Sequence, residues 1–205
     1  MNMILTLNKY LLEESDHTLY IFDIDDTLFR TYAKIHVLDA NGKIVRSLNN
    51  QEYNTYKVLP GQTLKFDEFR DSEKFDMTSR PITKMLNKVK FLQKQIAGTK
   101  SKIIFVTARE DFDDKEKFLN AFRKRKIDID QIHVYRTGND HGPESKGEKK
   151  AKVIRMYLSS GDFMKTEMYD DNMENLEAFK SLQREFPDIS FEAFQVFHDG
   201  STNNV

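Results

Sequence analysis

The amino-acid sequence predicts an α/β fold in which a central parallel sheet is covered by helices and interrupted by one inserted segment. Three observations carry this expectation. Short apolar runs rich in β-formers recur along the chain, Leu19 to Phe22 and Ile103 to Val106 being the clearest, and such runs suit strands buried on both faces. Between them lie segments whose apolar residues repeat at helical spacing, so β and α units alternate and right-handed crossovers make the strands parallel. The residues that follow the apolar runs turn polar or acidic, which places chemistry at the carboxyl edge of the sheet, where open α/β sheets hold their ligands.

With 205 residues the chain is long enough for one packed domain with an insertion and short for two full domains. Its 16 Phe and 8 Tyr can fill a core. The 32 basic and 33 acidic residues nearly cancel, which argues against a generally basic nucleic-acid coat protein. The absence of Cys excludes disulfides, thiolate nucleophiles and Cys-zinc sites. The opening Met1 to Leu7 is too quickly interrupted by Asn8 and Lys9 for a secretory leader, and no run approaches membrane-spanning length. A soluble, cytoplasmic protein without membrane association is expected.

Taken in order, residues 1–17 read as an amphipathic lead-in offering Leu5, Leu7, Leu11 and Leu12. The first strand, Leu19 to Phe22, runs into Asp23-Ile24-Asp25-Asp26-Thr27. Residues 31–80 break the alternation. Asn41-Gly42 between β-rich runs signals a hairpin, and Leu64, Phe66, Phe69 and Phe75 anchor a small second part. An insertion of this length exceeds an ordinary loop and acts near a site as a lid or specificity element. The core is therefore residues 1–30 and 81–205.

Pro81 opens a helix carrying Ile82, Met85, Leu86, Val89, Leu92 and Ile96, and Gly98 ends it. The second strand terminates in Thr107-Ala108-Arg109, after which Asp111 is the expected N-cap of a helix bearing Phe112, Phe118, Leu119 and Phe122. A third strand, Gln131 to Arg136, precedes a Gly-rich loop and a helix from about Glu148 to Ser159. Thr166 to Tyr169 leads into Asp170-Asp171-Asn172 and a helix with Met173, Leu176 and Phe179 inward. Ile189 to Phe197 is the last strand, and the tail from His198 reads as frayed.

Asp23 and Asp25 lie two residues apart at a strand end. Ionised carboxylates so close raise each other's pKa, and a divalent cation reconciles them. With no Cys or His beside them, oxygen ligation favours Mg²⁺ over zinc. A polar loop whose acids cap a turn is the plain alternative. What favours chemistry is convergence: a parallel sheet brings to the same edge Thr107, a lysine following the third strand, and Asp170 with Asp171. For phosphoryl transfer each has a use. One carboxylate attacks phosphorus, a second moves the proton, a hydroxyl and a lysine hold the phosphoryl oxygens, and acids on two strands hold the metal.

Carrying these four stations, the chain resembles the haloacid dehalogenase-like (HAD) hydrolase superfamily over about residues 18 to 197. The resemblance implies a Rossmann-like three-layer sandwich with strand order 5-4-1-2-3 and a C1-type cap over residues 31–80. It implies Asp23 as nucleophile, Asp25 as general acid/base, and Mg²⁺ held by Asp23, the Asp25 main-chain carbonyl and the fourth-motif acids. Asp at the second position resembles the phosphatase branch. Of Lys146, Lys149, Lys150 and Lys152, Lys150 is the first choice for the phosphate-holding lysine because it precedes the inward Ile154 by one turn, with Lys149 second. Thr107, Ala108 and Arg109 are expected at the phosphate, although Arg109 could equally form a surface salt bridge. One of Asp170 and Asp171 binds metal while the other caps the helix near Met173; Thr27 binds through its backbone or braces the turn; His133 and His141 are structural or surface residues.

The insertion's eight basic and seven acidic residues offer no broad cationic track, while Arg136, Lys146, Lys149, Lys150, Lys152 and Arg155 cluster beside the expected phosphate. The expected partner is a small phosphorylated substrate or the terminal phosphate of a nucleic acid. A nucleotidase, and a catalytically idle phosphate-binding protein, are the competing readings.

Overall fold

The computed structural model describes residues 17–205, and the expected lead-in up to Asp16 lies outside them. β1 (Thr18–Phe22) is followed by β2 (Phe29–Arg30) and then by the inserted elements β3 (Ile35–Leu38), β4 (Ile44–Leu48), α1 (Asn50–Thr55), β5 (Thr63–Lys65), α2 (Asp67–Arg70) and α3 (Ser72–Thr78). β6 (Arg80–Pro81) returns the chain to α4 (Thr83–Gln95), β7 (Lys102–Thr107), α5 (Lys115–Arg123), β8 (His133–Arg136) and α6 (Lys146–Leu158). β9 (Lys165–Asp170), α7 (Met173–Ser181), β10 (Ser190–Val196) and β11 (Thr202–Asn204) complete the order.

The central sheet has six strands in the order β11-β10-β9-β1-β7-β8. β1 is parallel to both β7 and β9, β10 to β9 and β8 to β7. The five-strand order 5-4-1-2-3 does not describe this sheet, because the tail expected to fray folds back instead as β11, antiparallel to β10. Gly200, at φ 77°, makes the turn that returns it.

Side chains alternate across the sheet. Phe22, Ile103 and Phe105 face one apolar cluster, built with Leu86 and Val89 of α4 and Phe118 and Phe122 of α5. Leu19, Ile21, Ile104 and Val106 face another, built with Ile154 of α6 and Leu176 and Phe179 of α7. Helices therefore cover both faces. Each fully buried Phe or Leu among them stabilises the fold by roughly 1.5–3 kcal/mol.

The inserted segment forms a three-stranded antiparallel sheet, β4-β3-β5, whose apolar face (Ile35, Val37, Leu48) packs with Phe69, Tyr53 and Phe66. The hairpin at Asn41-Gly42 forms as expected, with Gly42 at φ 77°. Phe75 departs from expectation: it joins the core cluster through contacts with Phe29 and Phe118, because α3 packs on α5 and not on the small sheet.

Two helix starts also differ. Pro81 pairs with Phe29 in a short ladder, and α4 begins at Thr83. Asp114, not Asp111, caps α5, its side chain accepting the Lys117 N–H, while Asp111 takes an ion pair with Arg136. No helix among the described residues is long and apolar enough to cross a membrane.

Candidate active site

The carboxyl ends of β1, β7 and β9 open onto a cavity of about 360 Å³, floored by the core and roofed by Ile35, Tyr53, Phe66 and Phe69 of the inserted segment. Asp23 leaves β1 with its N–H bonded to the Tyr169 carbonyl at 3.0 Å, so the neighbouring strand fixes its position. The chain then folds tightly: the Leu28 and Phe29 N–H groups both reach the Ile24 carbonyl, and Asp26 adopts φ 58°. Asp residues tolerate that left-handed conformation better than most. The Asp26 carboxylate accepts the Thr31 N–H at 3.2 Å and the Asn50 amide at 3.1 Å, tying the turn to α1. Thr27 braces a second loop, its hydroxyl accepting the Asp171 N–H at 3.1 Å.

Lys150 is 1% exposed, and its Nζ lies 2.6 Å from Asp23 Oδ1 and 2.7 Å from Asp170 Oδ2. One ammonium thus bridges acids from two strands. Burial alone would lower the lysine's pKa, but Asp170 and Asp23 together drive it above its ordinary range. Burial pushes the Asp23 carboxyl up to about 7 against the pull of Lys150, with Asp170 and Asp25 adding to the rise. Asp171 completes the cluster. Burial, Asp170 and Asp23 raise it well above the carboxylate range, and its side chain has no hydrogen-bond partner among the described residues.

Asp23, Asp170 and Asp171 each offer an oxygen within 4.8 Å of the others. Hard oxygen donors, excess negative charge and an unpartnered carboxylate fit a magnesium-sized divalent cation. The Asp25 carboxylate is not part of this cluster. It turns instead to Arg109, whose Nε donates to both carboxylate oxygens at 3.1 and 2.9 Å and whose Nη2 donates to Oδ1 at 2.7 Å. Thr31 donates its hydroxyl to the same oxygen, and Thr107 donates to Oδ2 at 3.4 Å. Burial raises Asp25, but the guanidinium and these donors outweigh it and hold the carboxyl below the usual range.

Arg109 is itself clamped. It is 3% exposed, donates Nη1 to the Phe69 carbonyl at 2.7 Å, and lies 4.7, 4.9 and 5.2 Å from the ring centres of Phe69, Phe75 and Phe112. The surface salt bridge considered for it is therefore replaced by a buried one.

No protein-family model matches the chain, and no curated protein does. Among solved structures, the chain is similar to the HAD domain of effector protein Lem4 from Legionella pneumophila, with 18% identity over 87% of this chain and 85% of that one and a TM-score of 0.49. An inactive mutant of the same domain gives 16% identity, 85% and 83% coverage, and the same TM-score of 0.49.

The site's geometry brings together Asp23, Asp25, Thr107, Lys150, Asp170 and Asp171. Ala108 and Lys149 line the cavity, but Lys149 spends its ammonium on the Asp140 carbonyl at 2.7 Å. Neither Asp170 nor Asp171 caps α7; Asn172 does, accepting the Glu174 N–H at 2.8 Å. His133 bonds the Tyr157 hydroxyl, and His141 sits on the cavity wall. The supposed basic cluster is largely answered by local acids: Arg136 pairs with Asp111, Lys152 with Asp140 and Glu144, and Arg155 with Glu185.

Sequence reasoning missed three contributors. Asn175 donates to both oxygens of Asp170 at 2.9 and 3.0 Å while its own Oδ1 stays buried and unpaired; its place in the first turn after Asp170-Asp171 was the available signal. Gly138 lies so close to Ala108 that a Cβ would sit 2.5 Å from that carbonyl oxygen, so only glycine lets this loop close behind the second strand. Thr31, six residues after Asp25, gave no pattern.

Proposed function

We propose that this chain is a Mg²⁺-dependent phosphatase of the HAD-like type, hydrolysing a phosphomonoester through an aspartyl-phosphate on Asp23. The observation that carries this reading is the Lys150 ammonium bridging Asp23 and Asp170 on the cavity floor beside the unpartnered Asp171. A cation answering a nucleophile and a metal-ligating acid at once is suited to a phosphoryl group that must touch both.

Asp23, Asp170 and Asp171 would hold the metal, which supplies charge neutralisation to the phosphoryl oxygens when bound. The Asp23 carboxylate attacks phosphorus as the bond to the leaving oxygen breaks, and Lys150 and Thr107 hold the oxygens whose charge grows. The leaving alkoxide takes a proton from Asp25. In the second half Asp25 takes a proton from water, whose oxygen attacks phosphorus, releasing inorganic phosphate and restoring Asp23.

The Arg109 clamp bears on this division of labour. It favours ionised Asp25, the form needed as base, and disfavours the protonated form needed as acid. Phosphates with good leaving groups, which need little protonation, should therefore turn over best. The inserted segment acts as the cap, and the substrate is a small phosphomonoester or a terminal phosphate within reach of a cavity this size.

The test is hydrolysis of p-nitrophenyl phosphate by purified protein, expected with Mg²⁺, lost in EDTA and restored by Mg²⁺. Asp23→Asn should abolish it with the fold intact. Turnover by folded Asp23→Asn within about tenfold of wild type would refute nucleophilic catalysis by this residue.

A further inference from the structure

Three lysines of α6 reach the cavity, and they are not equivalent. Lys150 is held by two carboxylates and Lys149 by a backbone carbonyl. Lys146, one turn before Lys150 on the same face, forms no ion pair among the described residues; its Nζ sits 4.0 Å from the centre of the Tyr53 ring. Burial and the neighbouring Lys150 lower its pKa against the pull of Glu174, Asp23 and Asp25, so the acids around it do not fully answer its charge.

Glu174 is the foremost acid acting on Lys146, but no ion pair joins the two; the other outer acids are engaged elsewhere. Glu110 faces Arg70 at 3.5 Å, and Asp140 takes Lys152 and the Gly142 N–H. Above Lys146 the roof is aromatic: Tyr53 and Phe66 meet edge-to-face at 5.5 Å, and Phe66 meets Phe69 at 6.5 Å. The space they enclose with the floor, about 360 Å³, is far larger than a phosphoryl group requires.

We infer that the cavity takes a substrate with two anionic groups and a planar ring: one phosphate at Asp23 and Lys150, a second anion on Lys146, and the ring against Tyr53 and Phe66. This deepens the phosphatase reading and rests on it for the first phosphate. Residues four apart on a helix carry Cβ atoms about 5–6 Å from each other, so the two lysines rise from adjacent turns of α6, a spacing that suits two anions on one sugar ring. A nucleoside bisphosphate, with its phosphates on the 3′ and 5′ oxygens and a base beside them, has this chemistry. The aromatic roof accepts any base face, because stacking is tolerant of base identity.

Four phosphates separate the requirements: a nucleoside 3′,5′-bisphosphate, the corresponding 5′-monophosphate, a sugar bisphosphate without a base, and p-nitrophenyl phosphate. In wild type, kcat/KM for the nucleoside bisphosphate should exceed that for the monophosphate by roughly tenfold or more, the range of a charge-assisted hydrogen bond. Lys146→Met should bring that ratio close to one, chiefly through KM. Phe66→Leu should bring the nucleoside bisphosphate down to the sugar bisphosphate while leaving the preference for two anions.

Calorimetric binding of the same compounds to Asp23→Asn keeps the inference distinct from the catalytic reading. If wild type hydrolyses none of the four but the bisphosphate still binds more tightly than the monophosphate and loses that advantage in Lys146→Met, catalysis fails and the subsite stands. If p-nitrophenyl phosphate is hydrolysed yet Lys146→Met lowers all four equally, Lys146 serves the reacting phosphate and the second-anion site is refuted. No bisphosphate preference in either rate or binding also refutes it.

Discussion

Among the charged side chains at the centre of the cavity floor, all but Asp171 come with partners: Lys150 with Asp23 and Asp170, Arg109 with Asp25, and Asp170 with Asn175 as well. The roof meets the same space chiefly with Ile35, Tyr53, Phe66 and Phe69, joined by the polar Asn50 and Arg70. The floor is held by directional bonds in a dry setting, where losing one partner strands another. The roof is held mainly by ring packing, with two polar ties to the floor, Asn50 to Asp26 and Arg109 to the Phe69 carbonyl. Substitutions below that strand a buried charge should therefore damage catalysis and stability together, and substitutions above should alter preference while sparing both.

The largest effect separates those two costs within the floor itself. Asp23→Asn should reduce turnover of p-nitrophenyl phosphate by more than about 10³-fold, as loss of a covalent nucleophile does. Its melting temperature should hold or rise, because the change removes one of three crowded acids. A marked fall in stability would mean that the Asp23–Lys150 pair is more structural than catalytic.

Next comes Lys150→Ala, which strands Asp23 and Asp170. Denaturant titration should show a loss of about 3–5 kcal/mol, the usual penalty for removing one partner of a buried pair, and the rate should fall on the order of 10²-fold or more. Mg²⁺ should recover part of the stability. Lys149→Ala, which gives up only a contact to a carbonyl, should be several-fold milder on both measures.

Arg109→Gln frees Asp25 from the guanidinium and unfastens Phe69 from the core. The expected signature is a change in leaving-group dependence: the ratio of alkyl phosphate to p-nitrophenyl phosphate turnover should rise, since a less acidic Asp25 protonates poor leaving groups better. A uniform loss across leaving groups would assign Arg109 to stability alone.

Smaller still is the effect of metal on the folded protein. Mg²⁺ at a hundred times its dissociation constant should add about 2.7 kcal/mol to wild-type stability, and Asp171→Asn should lose most of that increment. Smallest is Phe66→Leu, a swap on the roof that should change stability by less than about 1.5 kcal/mol and leave p-nitrophenyl phosphate turnover within a few-fold.

The same contrast governs what could be read from sequence. Asp23, Asp25, Thr107, Lys150 and Asp170-Asp171 were legible because buried apolar strands ending in polar residues are unusual, and a parallel sheet forces their ends together. Lys150 was singled out by helical phase against Ile154, and it is the buried one. Partnerships were not legible. Arg109 meets Asp25 across 84 residues, and Thr31 joins it from a turn with no motif. Asp111 and Asp114 are equally good caps on paper, and only the ion pair with Arg136 decides between them. The tail read as frayed because Thr202–Asn204 is polar, yet an antiparallel edge strand needs backbone pairing more than apolar side chains.

The ladder between β2 and β6 is two residues long and sets Arg30 opposite Arg80, so the chain leaves the sheet edge and returns to it at adjacent points. Closing a loop costs little more as the loop grows, about 0.6 kcal/mol for each doubling of length. A segment rooted this way can lengthen, shorten or be exchanged without shifting the register of a single central strand. The acids and cations of the floor thus belong to the sheet, and the aromatic roof belongs to a segment whose ends already meet. What the segment must still supply to the core is Phe75 in its cluster, the Asn50 amide to Asp26 and the Phe69 carbonyl to Arg109.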